Sequence, residues 1–420
     1  KTAVRDALAA LFERHAQLRS GFRLNQHSRI VRIPLTELQP RFAEISCDDA
    51  RQRSENIAAF VHEPFDLANE PLLVAAVFSC ADDDQVLVFC AHHIAVDFRS
   101  FTILLEEFKT LYLGQVAGRT PDLPNLAASY GDYVAWQSAY LADQRAEQDW
   151  QYWRDRLSGE LPRLALPAER QTAGSRSCRG RSENLNIAPD TLQKLKRLAA
   201  AQHTTLYALL LTVFKTLLYR YSGQQDIIVG SPTLGRPKKE FADTVGYFVN
   251  PVALRSHPAA GQRFSDYLAE VNATVLGAME HQHYPFSLLV EKLQPERDQG
   301  PSAFYRVWFG LQSGADPASA AAGLALGIPG IALDWAGLPA ESYALEDVAV
   351  QFDLTLLMAD TAQGLAASFQ YRSDLLSRSA VLRLIGHFQC LLHGILANPS
   401  GRLSELPLLT VPERKQLSGW

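Results

Sequence analysis

Two apolar runs, Leu72 to Phe78 and Val86 to Phe89, stand on either side of Ala81-Asp82-Asp83-Asp84. β-Favouring residues flanking an acidic turn predict a hairpin. The second run leads directly into Ala91-His92-His93-Ile94-Ala95-Val96-Asp97, after which Phe101, Leu104, Leu105, Phe108, Leu111 and Tyr112 recur at helical spacing. Gly114 is placed to stop that helix. A hairpin that feeds an amphipathic helix restricts the chain to mixed α/β folds. The arrangement returns in the second half, where Phe352 to Met358 pairs with Leu365 to Tyr371 across a turn near Asp360 to Gly364. A helix carrying Val381, Leu384, Ile385, Phe388, Leu391, Leu392 and Ile395 follows it. With 420 residues the chain exceeds what one hydrophobic core usually holds, so two α/β sandwich lobes of similar build are expected.

Val4, Leu8, Leu11 and Phe12 predict an opening helix. The Pro-, Arg-, Ser- and Gly-rich stretch from about Leu157 to Arg181 predicts a linker. Beyond it, helices are expected near Pro189 to Ala201, Thr204 to Tyr221 and Phe264 to His281, with strands at Ile227 to Val229 and Phe304 to Leu311. The Ala/Gly-rich stretch Gly314 to Gly330 reads as a surface loop. The expected division is therefore 1–160 for the first lobe, 161–181 for the linker and 182–409 for the second lobe. Residues 410–420 read as the start of a linker to a following domain. The first residue falls inside a helical pattern, so a domain of a longer protein is expected.

A formal net charge of −5 argues against a nucleic-acid footprint, which needs a concentrated basic surface. The five cysteines, Cys47, Cys80, Cys90, Cys178 and Cys390, show no C-x-x-C spacing, which suggests reduced thiols in a cytoplasmic protein. The apolar stretch Leu206 to Leu218 contains Lys215 and is too short to span a bilayer, so no membrane partner is expected.

If Val86 to Ala91 is a strand, His92 and His93 point to opposite faces. One faces a cleft; the other enters the packed interior and needs a hydrogen-bond partner. Asp97 then falls where strand gives way to helix, and its carboxylate needs a cationic or donor partner. An exposed imidazole, a structural imidazole and a paired carboxylate make a general-base arrangement, since neutral imidazole accepts protons near pH 7. A third ligand at a familiar spacing is missing, so no metal is expected, and no G-x-S-x-G elbow occurs.

The stretch Ala91 to Asp97 resembles the His-His-x-x-x-Asp-Gly signature of the condensation domains of nonribosomal peptide synthetases, relatives of chloramphenicol acetyltransferase. Four further motifs follow the family order. Arg14-His15-Ala16-Gln17-Leu18-Arg19-Ser20-Gly21-Phe22 resembles the early Arg-His-x-x-Leu-Arg segment, and Tyr130-Gly131-Asp132-Tyr133-Val134-Ala135-Trp136 the Tyr-x-Asp-Tyr-x-x-Trp segment. Val245-Gly246-Tyr247-Phe248-Val249-Asn250 resembles Gly-x-Phe-Val-Asn, and His281-Gln282-His283-Tyr284-Pro285-Phe286 resembles His-Gln-x-x-Pro-Phe. Arg297-Asp298 resembles the start of a last motif.

The resemblance implies two acetyltransferase-like lobes in a V around a central tunnel. It also implies amide bond formation between thioesters carried on the phosphopantetheine arms of upstream donor and downstream acceptor carrier proteins, beside an adenylation domain, with no tightly bound cofactor. His93 is the expected catalytic residue, either taking the amine proton or positioning the amine. His92 and Asp97 are expected to be structural, with Arg14 or Arg255 as the partner of Asp97. Phe98, Asn250, Trp136 and Arg19 are candidates for lining the tunnel. Plainer readings stand beside these: Phe98 as packing into the core under the following helix with residues such as Phe101, Trp136, Tyr133 and Tyr130 as core aromatics, Arg19 as neutralising a nearby carboxylate, and His281 and His283 as local caps.

Three departures stand out. Phe98 replaces the family glycine, a change associated with fatty-acyl or polyketide donors. Pro251 replaces a threonine, and the family's first motif is missing. The alternatives are a recruitment platform that has lost catalysis, or another carrier-dependent acyltransferase. An epimerization relative is disfavoured by Val249-Asn250, and a heterocyclizing one by the intact histidines.

Overall fold

The computed structural model describes residues 2–80, 84–119, 121–166, 179–293, 304–312, 330, 332–335, 338–343, 345, 347–361 and 363–418. Residues 81–83 of the predicted turn, most of the linker 161–181, Arg297-Asp298 and nearly all of 314–330 lie outside the described residues. The mixed α/β class expected from the hairpin-into-helix pattern is what the structure has.

The chain forms two compact units. The first contains 1–139 with two later segments, 236–249 and 320–345. It holds helix α1 (Thr2–Arg14), strands β1 (Ser20–Leu24), β2 (Ile30–Pro34) and β3 (Arg41–Ser46), helix α2 (Ala50–Val61), strands β4 (Leu73–Ser79) and β5 (Gln85–Ala91), and helix α3 (Phe98–Ala117). Strands β3, β4 and β5 form a sheet in that order, β3 parallel and β5 antiparallel to β4. Being central, β4 is buried on both faces, which is why it reads as an unbroken apolar run. Its alternate residues serve two cores. Leu73 and Ala75 join Leu8, Leu11, Phe12, Leu104, Phe108 and Val245, whereas Val74, Ala76 and Phe78 join Ile57 and Phe60.

Helix α3 begins on Asp97, whose side chain accepts the Ser100 N–H at 2.7 Å as an N-cap. It ends at Gly118, with φ of 61°, not at Gly114. Gly114 is instead needed for close approach, since a Cβ there would lie 3.0 Å from Pro121 and from the Arg119 carbonyl.

The second unit contains 140–235, 250–319 and 346–420. Helix α4 (Tyr130–Leu141) ends just inside it. Next come α5 (Gln144–Leu157), β6 (Arg179–Ile187), α6 (Pro189–Ala201), α7 (Leu206–Ser222), β7 (Ile227–Thr233), β8 (Asn250–Ser256), α8 (Phe264–Glu280), α9 (Phe286–Leu293) and β9 (Val307–Gln312). After the first unit's hairpin of β10 (Ala332–Trp335) and β11 (Leu338–Glu341) come β12 (Asp347–Ala349), β13 (Leu354–Thr361), β14 (Gly364–Arg372), α10 (Arg378–Ala397) and α11 (Val411–Ser418). The sheet order is β12-β6-β14-β13-β9-β7-β8, with β13, β9 and β7 mutually parallel. Helix α10 is long and apolar enough to cross a membrane by composition, yet Val381, Leu384, Phe388, Leu391 and Ile395 are buried within the unit.

Among the described residues, the largest sheet has three strands in the first unit and seven in the second. The boundaries of the units differ from the contiguous 1–160 and 182–409. Helix α5 belongs to the second unit because Trp153 is buried there, its Nε1–H donating to the His281 carbonyl at 2.9 Å, and Asp149 binds Tyr140 and His281. Residues 411–418, expected as linker, are a helix. Thr410 donates its backbone N–H and hydroxyl to Glu413, which also meets His387 at 2.9 Å. These donors hold the Glu413 carboxyl down to about 2, the Thr410 hydroxyl contributing most.

Candidate active site

Strand β5 ends at Ala91, one residue before the histidine pair, so pleat alternation does not orient the two rings. A turn over 93–95 does, closed by Ala95 N–H donating to the His92 carbonyl at 3.0 Å. The half-buried His92 folds back over this turn, its Nδ1 accepting the Ile94 N–H at 3.1 Å and its ring meeting Phe65 edge-on. An Nδ1 that accepts must be unprotonated, and burial followed by the neighbouring His93 pushes the His92 pKa down, in keeping with a neutral ring.

His93 is exposed. Its Nδ1 lies 2.8 Å from the Val96 carbonyl oxygen. A carbonyl only accepts, so Nδ1 carries the proton and the neutral ring keeps an unprotonated Nε2. Tyr247 packs against the imidazole with ring centroids 5.1 Å apart and planes at 76°.

Asp97, 1% exposed, pairs with neither Arg14 nor Arg255. Its partner is Arg236, at 3.0 Å to Oδ2 and 3.3 Å to Oδ1. Arg14 instead donates to Glu107 and to the Pro124 carbonyl, with His15 on the same Glu107 oxygen at 2.6 Å. Arg255 lies on β8 in the other unit and binds Asp226 at 2.7 Å. Arg236 also donates to Ser100 Oγ and to the carbonyls of Phe241 and Thr244, and its guanidinium lies 4.2 Å from the Phe248 ring centre. Segment 236–249 is thus fastened to the start of α3. Asp97 N–H and Ser100 Oγ–H donate to the Gly246 carbonyl, Gly246 N–H donates to Ser100 Oγ, and Phe248 N–H donates to Asp97. Gly246 has no room for a side chain, as a Cβ would come within 2.1 Å of the Tyr130 ring.

A family model for the condensation domain matches residues 1–418. This chain belongs to the condensation domain family. It is 35% identical to a linear gramicidin synthase protein of Brevibacillus parabrevis over 99% of its own length and 5% of that protein, and 33% identical to tyrocidine synthase 3 of the same organism over 99% and 6%. It therefore spans only a small part of these relatives. Among solved structures, a holo four-domain nonribosomal peptide synthetase bound to AMP and glycine superposes with a TM-score of 0.84 at 21% identity, over 97% of this chain and 31% of that one. The X-domain from teicoplanin biosynthesis gives 0.83 at 20%, over 97% and 90%.

The remaining motif residues of this condensation domain have structural partners. Trp136 stacks on Tyr133 and packs against the aromatic cluster of Tyr133, Phe241 and Phe248. Arg19 donates to the Glu13 carbonyl at the end of α1, not to a carboxylate. Asn250, a candidate for lining the tunnel, commits its amide to the backbone of the His-Gln-x-x-Pro-Phe segment. Its Nδ2 donates to the carbonyls of Gln282 and Tyr284, and its Oδ1 accepts the Phe286 N–H, all at 2.7–2.8 Å. His281, expected to bond locally, reaches Asp149 at 2.7 Å, 132 residues away. Phe98 is half-buried at the first position of α3, while Phe101 packs on the core. Sequence reasoning missed Arg236 and Ser100, whose local marks are only an arginine after Gly235 and a small polar residue in a helix's first turn.

Proposed function

We propose that this domain forms an amide bond between two carrier-bound substrates. The acceptor amine attacks the donor thioester carbonyl while His93 Nε2 takes the amine proton. The carbon–sulfur bond then breaks, and the donor arm's sulfur leaves as a thiol bearing that proton. The amide remains on the acceptor arm. The observation that carries this reading is the Nδ1–H bond to the Val96 carbonyl, which leaves Nε2 of an exposed imidazole free to accept a proton. Asp97 is too deeply engaged to act as the base and serves as a cap and ion-pair partner.

Relatives named as linear gramicidin and tyrocidine synthases support this reading. Its substrates are then the phosphopantetheine arms of an upstream donor carrier and a downstream acceptor carrier, with an adenylation domain as neighbour. Phe98 favours a lipid-like or polyketide-like donor, because an aromatic ring in place of glycine offers an apolar wall near His93.

The test is intact mass measurement of both loaded carriers after incubation with the domain. Mass should move from donor to acceptor, and His93→Ala should slow the transfer ~10²–10⁴-fold while remaining folded. Undiminished transfer by folded His93→Ala would overturn the base role. No transfer by the wild type with any acyl donor would favour a recruitment platform.

A further inference from the structure

We propose that Tyr247 is a positioning residue that holds the His93 imidazole in its reactive orientation. This rests on reading His93 as the group that accepts the amine proton. A ring held only through Nδ1 pivots out of that hydrogen bond, which carries Nε2 away from the amine and frees the proton to move between the two ring nitrogens. A second flat ring packed nearly perpendicular, with centroids 5.1 Å apart, blocks the pivot.

The backbone around Tyr247 is held from every side. Gly246 exchanges hydrogen bonds with Ser100 Oγ through both its N–H (3.0 Å) and its carbonyl (2.8 Å). Phe248 N–H donates to Asp97 Oδ2 at 3.0 Å, and the Tyr247 carbonyl accepts the Tyr130 hydroxyl at 2.7 Å. A side chain on a backbone this constrained has a fixed direction, and Tyr247 points at His93 while staying 37% exposed. The buried Asp97–Arg236–Ser100 network thereby acts on the chemistry through Tyr247, touching no reacting atom itself.

The experiment uses the whole domain with both loaded carriers and compares Tyr247→Ala, Tyr247→Leu and Tyr247→Phe. Two readouts are taken: single-turnover transfer by intact mass, and the His93 tautomer from long-range proton–nitrogen correlation spectra. Tyr247→Ala is expected to lower kcat about 10- to 100-fold, with KM for either carrier moving by no more than about twofold. Its spectrum should show mixed tautomers where the wild type shows the Nδ1–H form alone. Tyr247→Phe keeps the ring plane and should restore both. Tyr247→Leu keeps bulk without a flat ring, should resemble alanine, and serves if the alanine variant does not fold. A single Nδ1–H tautomer together with wild-type kcat in Tyr247→Ala or Tyr247→Leu would overturn the proposal. So would a Tyr247→Phe variant as impaired as alanine, because the hydroxyl rather than the ring would then be acting. The tautomer spectrum does not depend on turnover. If His93→Ala retained full transfer, the base reading would fall while the spectrum still judged the positioning claim.

Discussion

Asp97 and Lys215 are both sealed from solvent, at 1% and 0% exposure, but their charges are answered in different ways. Asp97 meets a full opposite charge, since Arg236 approaches both its oxygens and the N–H groups of Ser100 and Phe248 complete its shell. Lys215 meets only neutral oxygens: the Leu254 carbonyl and Ser256 Oγ at 2.7 Å, and the Ile227 carbonyl at 3.4 Å. Burial drives the Lys215 pKa down to about 7, against the pull of Glu270 and Asp226. An ion pair has a preferred geometry and so locks two chain segments in register; a dipole cage can accommodate the charged or the neutral amine. The first suits the segment that presents Tyr247 to His93. The second ties α7 to β7 and β8, where no reacting group needs aiming.

The largest effect expected from breaking this contrast is on the Asp97 side. Asp97→Ala strands Arg236 in the interior and removes a helix cap, and should lose about 3–5 kcal/mol in urea unfolding. Asp97→Asn keeps a capping oxygen and should lose less. Wild-type stability in an inactive Asp97→Ala domain would make the carboxylate a direct participant in the chemistry.

Lys215→Met is expected to cost less, about 1–3 kcal/mol, because it leaves unpaired dipoles rather than an unpaired ion. If it matched or exceeded Asp97→Ala, the cage would be holding a full charge as tightly as the ion pair does.

The same lysine gives a pH test with a definite sign. The unfolded chain keeps lysine's ordinary value of 10.5, whereas the folded value is about 7. Between them the unfolded state binds the extra proton, so this group's contribution to stability rises with pH from about 7 towards 10.5 and is flat below 7. The difference in stability between wild type and Lys215→Met should therefore shift in favour of the wild type across that window. A pH-independent difference would mean that the folded lysine titrates like the unfolded one.

The smallest effect belongs to Phe98, beside the Asp97 cap but only half-buried. Phe98→Gly should cost about 1 kcal/mol, mostly helix propensity, rather than the ~3–5 kcal/mol of an emptied core site. Its informative readout is the ranking of donor thioesters on one carrier, which should move away from lipid-like chains. An unchanged ranking removes Phe98 from the donor site.

By itself the sequence determined what local pattern encodes. Continuous β-favouring apolar runs placed β4, β5, β13 and β14, helical spacing placed α3, α7 and α10, and the order of motifs pointed to the family and to His93. These follow from interactions within a few residues, or from residue types that few other folds bring together. The tertiary structure decided which side chains meet across long separations. Arg236 reaches Asp97 over 139 positions, and Asn250 reaches the 282–286 backbone over more than thirty. It also assigned 236–249 to the first unit and α5 to the second. Nothing in a chain's local periodicity distinguishes one arginine from another as the partner of a buried carboxylate. That choice is made by the low dielectric of the packed interior, where an unpaired charge is strongly destabilising and only the arginine folded alongside can answer it.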